Sequence, residues 1–269
     1  MEGQKRLREV VERLTAAVHE AISDLRITED EWRAGLEYLT RVGRADEFVL
    51  LSDALFVSVL VDALTHEGVA SGGTASNVEG PFYKPGAPML ERPYRLAGDD
   101  EPGEWLFVSG TVMDGATGRG IPDAILDVWQ ANDAGLYDLQ DPSLGAFHLR
   151  GRMAVDEDGG YEFRTVVPPP YEIPKDGPVG ELLRALGRHA FRPAHLHFKV
   201  TADGYAPLTT MVYFEGDDYL GSDTIGGVKD SLVVPLHRTD DVDRRAARGV
   251  DRRFATCRFD VLLPPQPLV

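Results

Sequence analysis

Apolar residues recur at three- and four-residue steps from the start of the chain: Leu7, Val10, Val11, Leu14, Val18, Ile22 and Leu25. That spacing places them on one face of a predicted helix. Thr28 and Glu31 stand at capping-box separation, and Ile27 can staple onto Trp32, so a second helix is expected from near Glu29 to Gly43. Residues 45–66 are apolar nearly all round, with Phe48, Leu51, Leu55, Leu60 and Leu64 among them. A single helix there must be covered by the rest of the chain or by a second subunit.

From Gly68 the texture changes to short β-rich runs parted by Gly, Pro and Asp. Strands are expected at residues 106–113, 124–129, 161–167, 194–200, 209–214, 231–234 and 257–263, with a helical piece at 179–186. No repeat of fixed period is present. The expected fold is mainly β with an N-terminal α region: a helical linker and dimerisation region over 1–67, then a β-sandwich domain over 68–269.

Composition narrows the partners. Lys and Arg number 28 against 44 Asp and Glu, a formal net charge of −16. Such a surface repels phosphate backbones and anionic lipid heads, so neither nucleic acid nor membrane is expected as a partner. The one cysteine, Cys257, excludes an internal disulfide and any thiolate zinc or iron–sulfur site. The start is charged and no apolar run has membrane-spanning length, so a soluble, reducing, cytoplasmic setting is expected.

The informative strand is Ala194-His195-Leu196-His197-Phe198-Lys199-Val200. Strand side chains alternate, which sends the apolar residues to a core and both histidines to the other face, about 7 Å apart along the backbone. Two such imidazoles can converge on one metal ion; equally, they can be half-exposed strand histidines. Arg192 and Pro193 precede the strand, Tyr171 follows three stiffening prolines, and Tyr137 follows the strand ending at Trp129. No carboxylate stands at a spacing that supports a two-His-one-carboxylate ferrous site, and no glutamate soon after His197 fits a cupin. Tyrosine ligands would bind as phenolates; with an ordinary pKa of about 10 they need a strong Lewis acid, which suits ferric iron better than zinc. A metal-free β-sandwich binding module of transthyretin-like type stays open on the segment 110–124. So does a zinc or ferrous hydrolase built on the histidine pair.

Three motifs in order resemble the intradiol ring-cleaving dioxygenases, the catechol, chlorocatechol and hydroxyquinol 1,2-dioxygenases. They are Asn77-Val78-Glu79-Gly80-Pro81-Phe82-Tyr83, Asp127-Val128-Trp129-Gln130-Ala131-Asn132 with Gly135-Leu136-Tyr137, and Arg192-Pro193-Ala194-His195-Leu196-His197. The likeness runs from the N-terminal helices to about Leu263. It implies one Fe(III) per subunit held by Tyr137, Tyr171, His195 and His197, with no organic cofactor. Tyr171 takes the place of the axial ligand that leaves when substrate binds, and Arg192 that of the active-site arginine. Val78, Pro81 and Phe82 match pocket wall, and Met211, Thr224 and Ile225 join them as expected substrate contacts.

The implied reactants are a small aromatic diol and O2. The implied assembly is a homodimer through the N-terminal helices, enclosing a phospholipid or fatty-acid chain. Residues 168–180 and 222–231 look most like hydroxyquinol dioxygenases, which implies conversion of benzene-1,2,4-triol to maleylacetate. Glu79 is the catechol-like choice, which keeps catechol or chlorocatechol cleavage to cis,cis-muconates as the alternative. Met211 departs from the polar side chain usual in that family.

Overall fold

The computed structural model describes residues 2–67 and 72–266. The chain divides into two compact units, Met1–Glu47 and Phe48–Val269. The first holds α1 (Glu2–Leu25) and α2 (Glu29–Arg44). Thr28 caps α2 as its spacing predicts: the threonine hydroxyl accepts from Glu31 N, and the Glu31 carboxylate accepts from Thr28 N at 2.8 Å. The apolar stripe of α1 is largely uncovered in the single chain; Leu7, Val11, Leu14 and Leu25 are each more than half exposed.

The single helix expected over 45–66 is two, α3 (Phe48–Ala54) and α4 (Val57–Thr65), bent by 80°. Phe56 breaks it by taking a left-handed conformation (φ 61°), which interrupts the helical backbone. The second unit begins earlier than the change of texture at residue 68, because both helices are tied to the β-rich part. The Arg188 guanidinium donates to the Ala54 carbonyl at 2.6 Å, and Lys229 and Ser76 both donate to the Asp62 carboxylate at 3.0 Å. Residue 68, where the expected β domain begins, lies outside the described residues. No single described helix is long and apolar enough to cross a membrane.

The strands and helices that follow are β1 (Tyr94–Arg95), β2 (Trp105–Asp114), β3 (Ile125–Trp129), β4 (Arg150–Ala154), β5 (Gly160–Val166), β6 (Tyr171–Glu172), α5 (Pro178–Ala185), β7 (Phe191–Arg192), β8 (His195–Thr201), β9 (Leu208–Phe214), β10 (Val233–Val234), β11 (His237–Thr239), α6 (Val242–Arg248), β12 (Phe254–Arg258) and β13 (Val261–Leu263). One sheet runs β1-β5-β2-β12-β11 with β13 also on β2; a second runs β10-β9-β8-β3-β4; β6 and β7 pair as a two-stranded sheet of their own, with α5 between them in the chain. The expected strand over 257–263 is thus two. The chain breaks it where the Phe259 carbonyl accepts the Tyr161 hydroxyl (2.5 Å) and the Asp260 carboxylate accepts from Thr111 N (2.9 Å). Strand β4, polar and glycine-containing, carries no alternating pattern and was not expected.

The sheets meet across one core, with Leu106, Val108 and Phe163 from the first and Leu126, Leu196, Phe198 and Val212 from the second. The Phe163 and Phe198 rings lie 6.2 Å apart. The mainly β, sandwich architecture with α at the N-terminus is therefore the one its patterning predicts. Phe198→Ala should cost about 3–5 kcal/mol, the usual loss for a large buried ring. Denaturant unfolding of the two proteins measures it, and a loss below about 1 kcal/mol would show that β8 is not anchored through this face.

Candidate active site

Strand β8 presents its two faces to different tasks. Leu196, Phe198 and Val200 enter the core, while His195 and His197 point the other way and are nonetheless buried, 1% and 2% exposed. Their imidazole Nε2 atoms face each other at 3.2 Å. The Pro193 carbonyl, which can only accept, takes the His195 Nδ1–H at 2.7 Å, so His195 Nε2 carries a bare lone pair. His197 lies opposite Trp129 on β3, whose indole stacks flat on it at 4.6 Å and 9°.

One loop and the β6–β7 pair bring in the tyrosines. Asn132 closes a turn by accepting from Ala134 N and Leu136 N at 3.0 and 2.9 Å, and this turn delivers Tyr137. Gly135 sits in it with φ 77°, and a Cβ there would lie 2.8 Å from Tyr171 Cβ, so glycine is required both for conformation and for the close approach. Tyr171 opens β6 directly opposite Arg192 on β7. The Tyr137 ring stands edge-on to Tyr171 at 5.6 Å and to His197 at 6.2 Å, and Tyr171 lies 5.5 Å from His195. Four residues from three separate segments of the chain thus come together.

Burial sets their electrostatics. It is the largest influence pushing both imidazoles well below the ordinary histidine range, with the Arg192 charge adding to it, so both rings are neutral donors. Burial, with the neighbouring Tyr171 second, pushes the Tyr137 phenol well above its usual value. Its hydroxyl has no hydrogen-bond partner among the described residues. Burial is the largest influence on Arg192 and opposes its charge, but the Asp223 carboxylate and the neighbouring Tyr213 and Tyr171 phenols together more than offset it. Arg192 Nε donates to Asp223 Oδ1 at 3.2 Å, and Nη1 points at His195 Nε2 at 3.1 Å.

These donors fit a metal ion. Two imidazole nitrogens so close need a proton or a cation between them, and a buried phenol with no partner is costly unless it is bound. Among the described residues no group of three or more His, Cys, Asp and Glu gathers anywhere as a metal site, so a cation here would need the phenols. A phenolate–imidazole set suits a hard, oxidised ion.

The expected pocket residues divide. Phe82 stacks on Tyr137 at 4.7 Å, and Gly80 abuts His197. Val78 is half-buried against the core and Pro81 is exposed. Met211 is fully buried opposite His197, with its sulfur 3.5 Å from Arg192 Nη2. Thr224 turns its hydroxyl to the His189 carbonyl (3.0 Å) and lines a cavity with Phe56 and Arg188, and the Ile225 N–H faces Asp223. Sequence reasoning missed Asp223 and Tyr213 as partners of Arg192. Alternation along β9 carried a signal for Tyr213, two residues from Met211, whereas Asp223 comes from a loop and carried none.

The inner strand of the β-sandwich offers two buried imidazoles to two buried phenols beside a fixed cation, a donor set that fits a metal ion. The family model described as Dioxygenase matches residues 78–265, and that described as Catechol dioxygenase N terminus matches residues 4–73. The chain belongs to the intradiol ring-cleaving dioxygenases. It is 42% identical to a hydroxyquinol 1,2-dioxygenase of Rhizobium sp. (strain MTP-10005), over 91% of this chain and 84% of that one. A chlorocatechol 1,2-dioxygenase of Rhodococcus opacus is 41% identical, over 93% and 96%. The crystal structure of wild-type Acinetobacter radioresistens catechol 1,2-dioxygenase superposes with a TM-score of 0.90 at 36% identity, over 97% of this chain and 86% of that one.

The depressed imidazole pKa values have a consequence for stability. Unfolded, both histidines take up protons near pH 6.5; folded, they do so only at much lower pH. The unfolded state therefore binds more protons below pH 6.5, so stability is complete above about pH 7 and falls as the pH drops. Denaturant unfolding at pH 7.5 and 5.5 should differ by about 1–3 kcal/mol, and His197→Gln should reduce the difference. Equal stability at the two pH values would mean the imidazoles are not buried as neutral donors.

Proposed function

We propose that this protein is a non-haem Fe(III) dioxygenase that inserts both atoms of O2 into hydroxyquinol (benzene-1,2,4-triol) between its 1- and 2-hydroxyl carbons, yielding maleylacetate. The observation that carries this reading is the meeting of two Nε2 atoms at 3.2 Å with the buried phenols of Tyr137 and Tyr171. One ferric ion per subunit would be held by Tyr137, Tyr171, His195 and His197. Bound there, it supplies the Lewis acidity that makes a diolate ring reactive towards O2, without an organic cofactor or an external reductant.

The chain's own groups do the rest. Tyr171, on a two-residue strand beside the stiff prolines 168–170, would hold the ion as a phenolate, and that phenolate Oη is placed to take a proton from the incoming diol and become a neutral phenol. Arg192, fixed and charged, stabilises negative charge developing on the ring oxygens. Phe82 and Trp129 cover the donors and exclude water from them. Hydroxyquinol as substrate is supported by the 42% identity to a hydroxyquinol 1,2-dioxygenase and by the 168–180 and 222–231 segments. Catechol or chlorocatechol is the second reading, favoured by Glu79 and by the nearly equal identity to a chlorocatechol 1,2-dioxygenase. A homodimer through the N-terminal helices, enclosing a lipid chain, is supported by the exposed stripe of α1 and by Leu60, Val61 and Leu64 of α4, each more than half exposed.

Oxygen uptake by the iron-loaded protein with hydroxyquinol, catechol and 4-chlorocatechol side by side should be fastest with hydroxyquinol. A preference for either of the others moves the substrate to the second reading, and no uptake with any refutes the activity. His195→Ala should release iron and abolish the visible phenolate-to-iron absorption. Tyr171→Phe should keep some iron yet lose most turnover, by about 100-fold or more if its proton-accepting role holds.

A further inference from the structure

Resting on that reading of the site, we propose that Tyr213 is a positioning residue for ring cleavage: its hydroxyl, aimed by the Met211 thioether, holds the Arg192 guanidinium against the imidazole pair. Tyr213 lies directly opposite His195 on β9, and Met211 opposite His197; both are fully buried. The Tyr213 hydroxyl meets Asn77 Nδ2 at 3.4 Å, Arg192 Nη2 at 3.2 Å and Met211 Sδ at 3.1 Å. The amide and guanidinium nitrogens can only donate, so the phenol oxygen accepts from both. Its single proton is left for the sulfur, which has none to give in return. The chain of hydrogen bonds therefore has one direction, and its last acceptor is Met211.

Arg192 needs this second hold. The Asp223 carboxylate takes Nε at 3.2 Å and Nη2 at 3.4 Å, longer than the 2.7–2.9 Å usual for a charged pair, and it also accepts Gly227 N at 2.9 Å. A carboxylate shared in this way fixes the plane of the guanidinium, but through contacts longer than usual. The Tyr213 hydroxyl pins Nη2 from another side, which leaves Nη1 facing the imidazole edge. The loop closes over the contact: a Cβ on Gly227 would stand 3.0 Å from the Tyr213 hydroxyl and 3.2 Å from Asp223 Oδ2. Tyr213 meets the four proposed metal donors only as a ring, 5.6 Å from that of His195, so its hydroxyl acts through Arg192.

The test uses full-length iron-loaded protein. Tyr213→Phe should keep the iron content and the resting visible absorption, yet lower kcat for the preferred diol about tenfold, the worth of one hydrogen bond to a charged group. 4-Nitrocatechol, titrated by its visible spectrum, should bind about tenfold more weakly on the same ground. In an Arg192→Ala background the same substitution should cost nothing further in either measurement. Met211→Leu, which conserves volume but removes the sulfur that accepts from both the Tyr213 hydroxyl and Arg192 Nη2, should shift both values in the same direction by a smaller factor; if Tyr213→Phe does not fold, unchanged kcat and binding in Met211→Leu overturn the role. Unchanged kcat and binding, an equal loss with and without Arg192, or a loss that tracks released iron would each overturn the role of Tyr213 while leaving the site reading intact. Colourless wild-type protein that cleaves none of the diols would overturn the site reading, and this role with it.

Discussion

A guanidinium buried to 3% exposure beside two neutral imidazoles is the constraint around which the second unit is arranged. Left unpaired, such a charge costs several kcal/mol, so a carboxylate must follow it inside. Asp223 does, and its loop is folded around that task, turning the backbone N–H groups of Ile225 and Gly227 to the same carboxylate. The same charge acts on the other side of Arg192. After burial, which acts most strongly, it further disfavours protonation of His195 and His197, the donors a metal would use. One buried cation therefore organises a loop and reinforces the neutrality of the imidazoles.

The sandwich makes this arrangement rigid. The core face of β8 holds Leu196 and Phe198 between the sheets, so the histidines between them are fixed by packing that does not involve the site. Neighbouring strands finish the work on the opposite face, Trp129 from β3 against His197 and Tyr213 from β9 against His195. The phenols come from less regular backbone, Tyr137 from a loop and Tyr171 from a two-residue strand. The sheet thus fixes the imidazoles through its register, while the phenols are placed by loop and short-strand backbone packed against it.

Relatives whose names state hydroxyquinol, chlorocatechol and catechol as substrates share this scaffold at similar identity. Of the expected substrate contacts, Met211 and Phe82 lie against the cluster of histidines and tyrosines, through Arg192 and Tyr137 respectively. Thr224 turns its hydroxyl to the His189 carbonyl.

The sequence by itself determined the elements that depend on neighbours in the chain. The α2 cap at Thr28, the alternation of β8 and the split between an α-rich start and a β-rich remainder are all local patterns, and each is present in the folded chain. Of the site, the histidine pair was legible because two residues on one strand must share a face. Tyr137 and Tyr171 stood out by their settings, one after the strand ending at Trp129 and the other after three prolines, but their assignment to the histidine pair came through resemblance, since nothing in their local spacing says that they meet. Tertiary structure alone decided the bend at Phe56, the break between β12 and β13, the burial of both histidines and the partnership of Arg192 with Asp223 and Tyr213. Those features arise from contacts across long stretches of chain, whose geometry is set by sheet register and core packing rather than by periodicity.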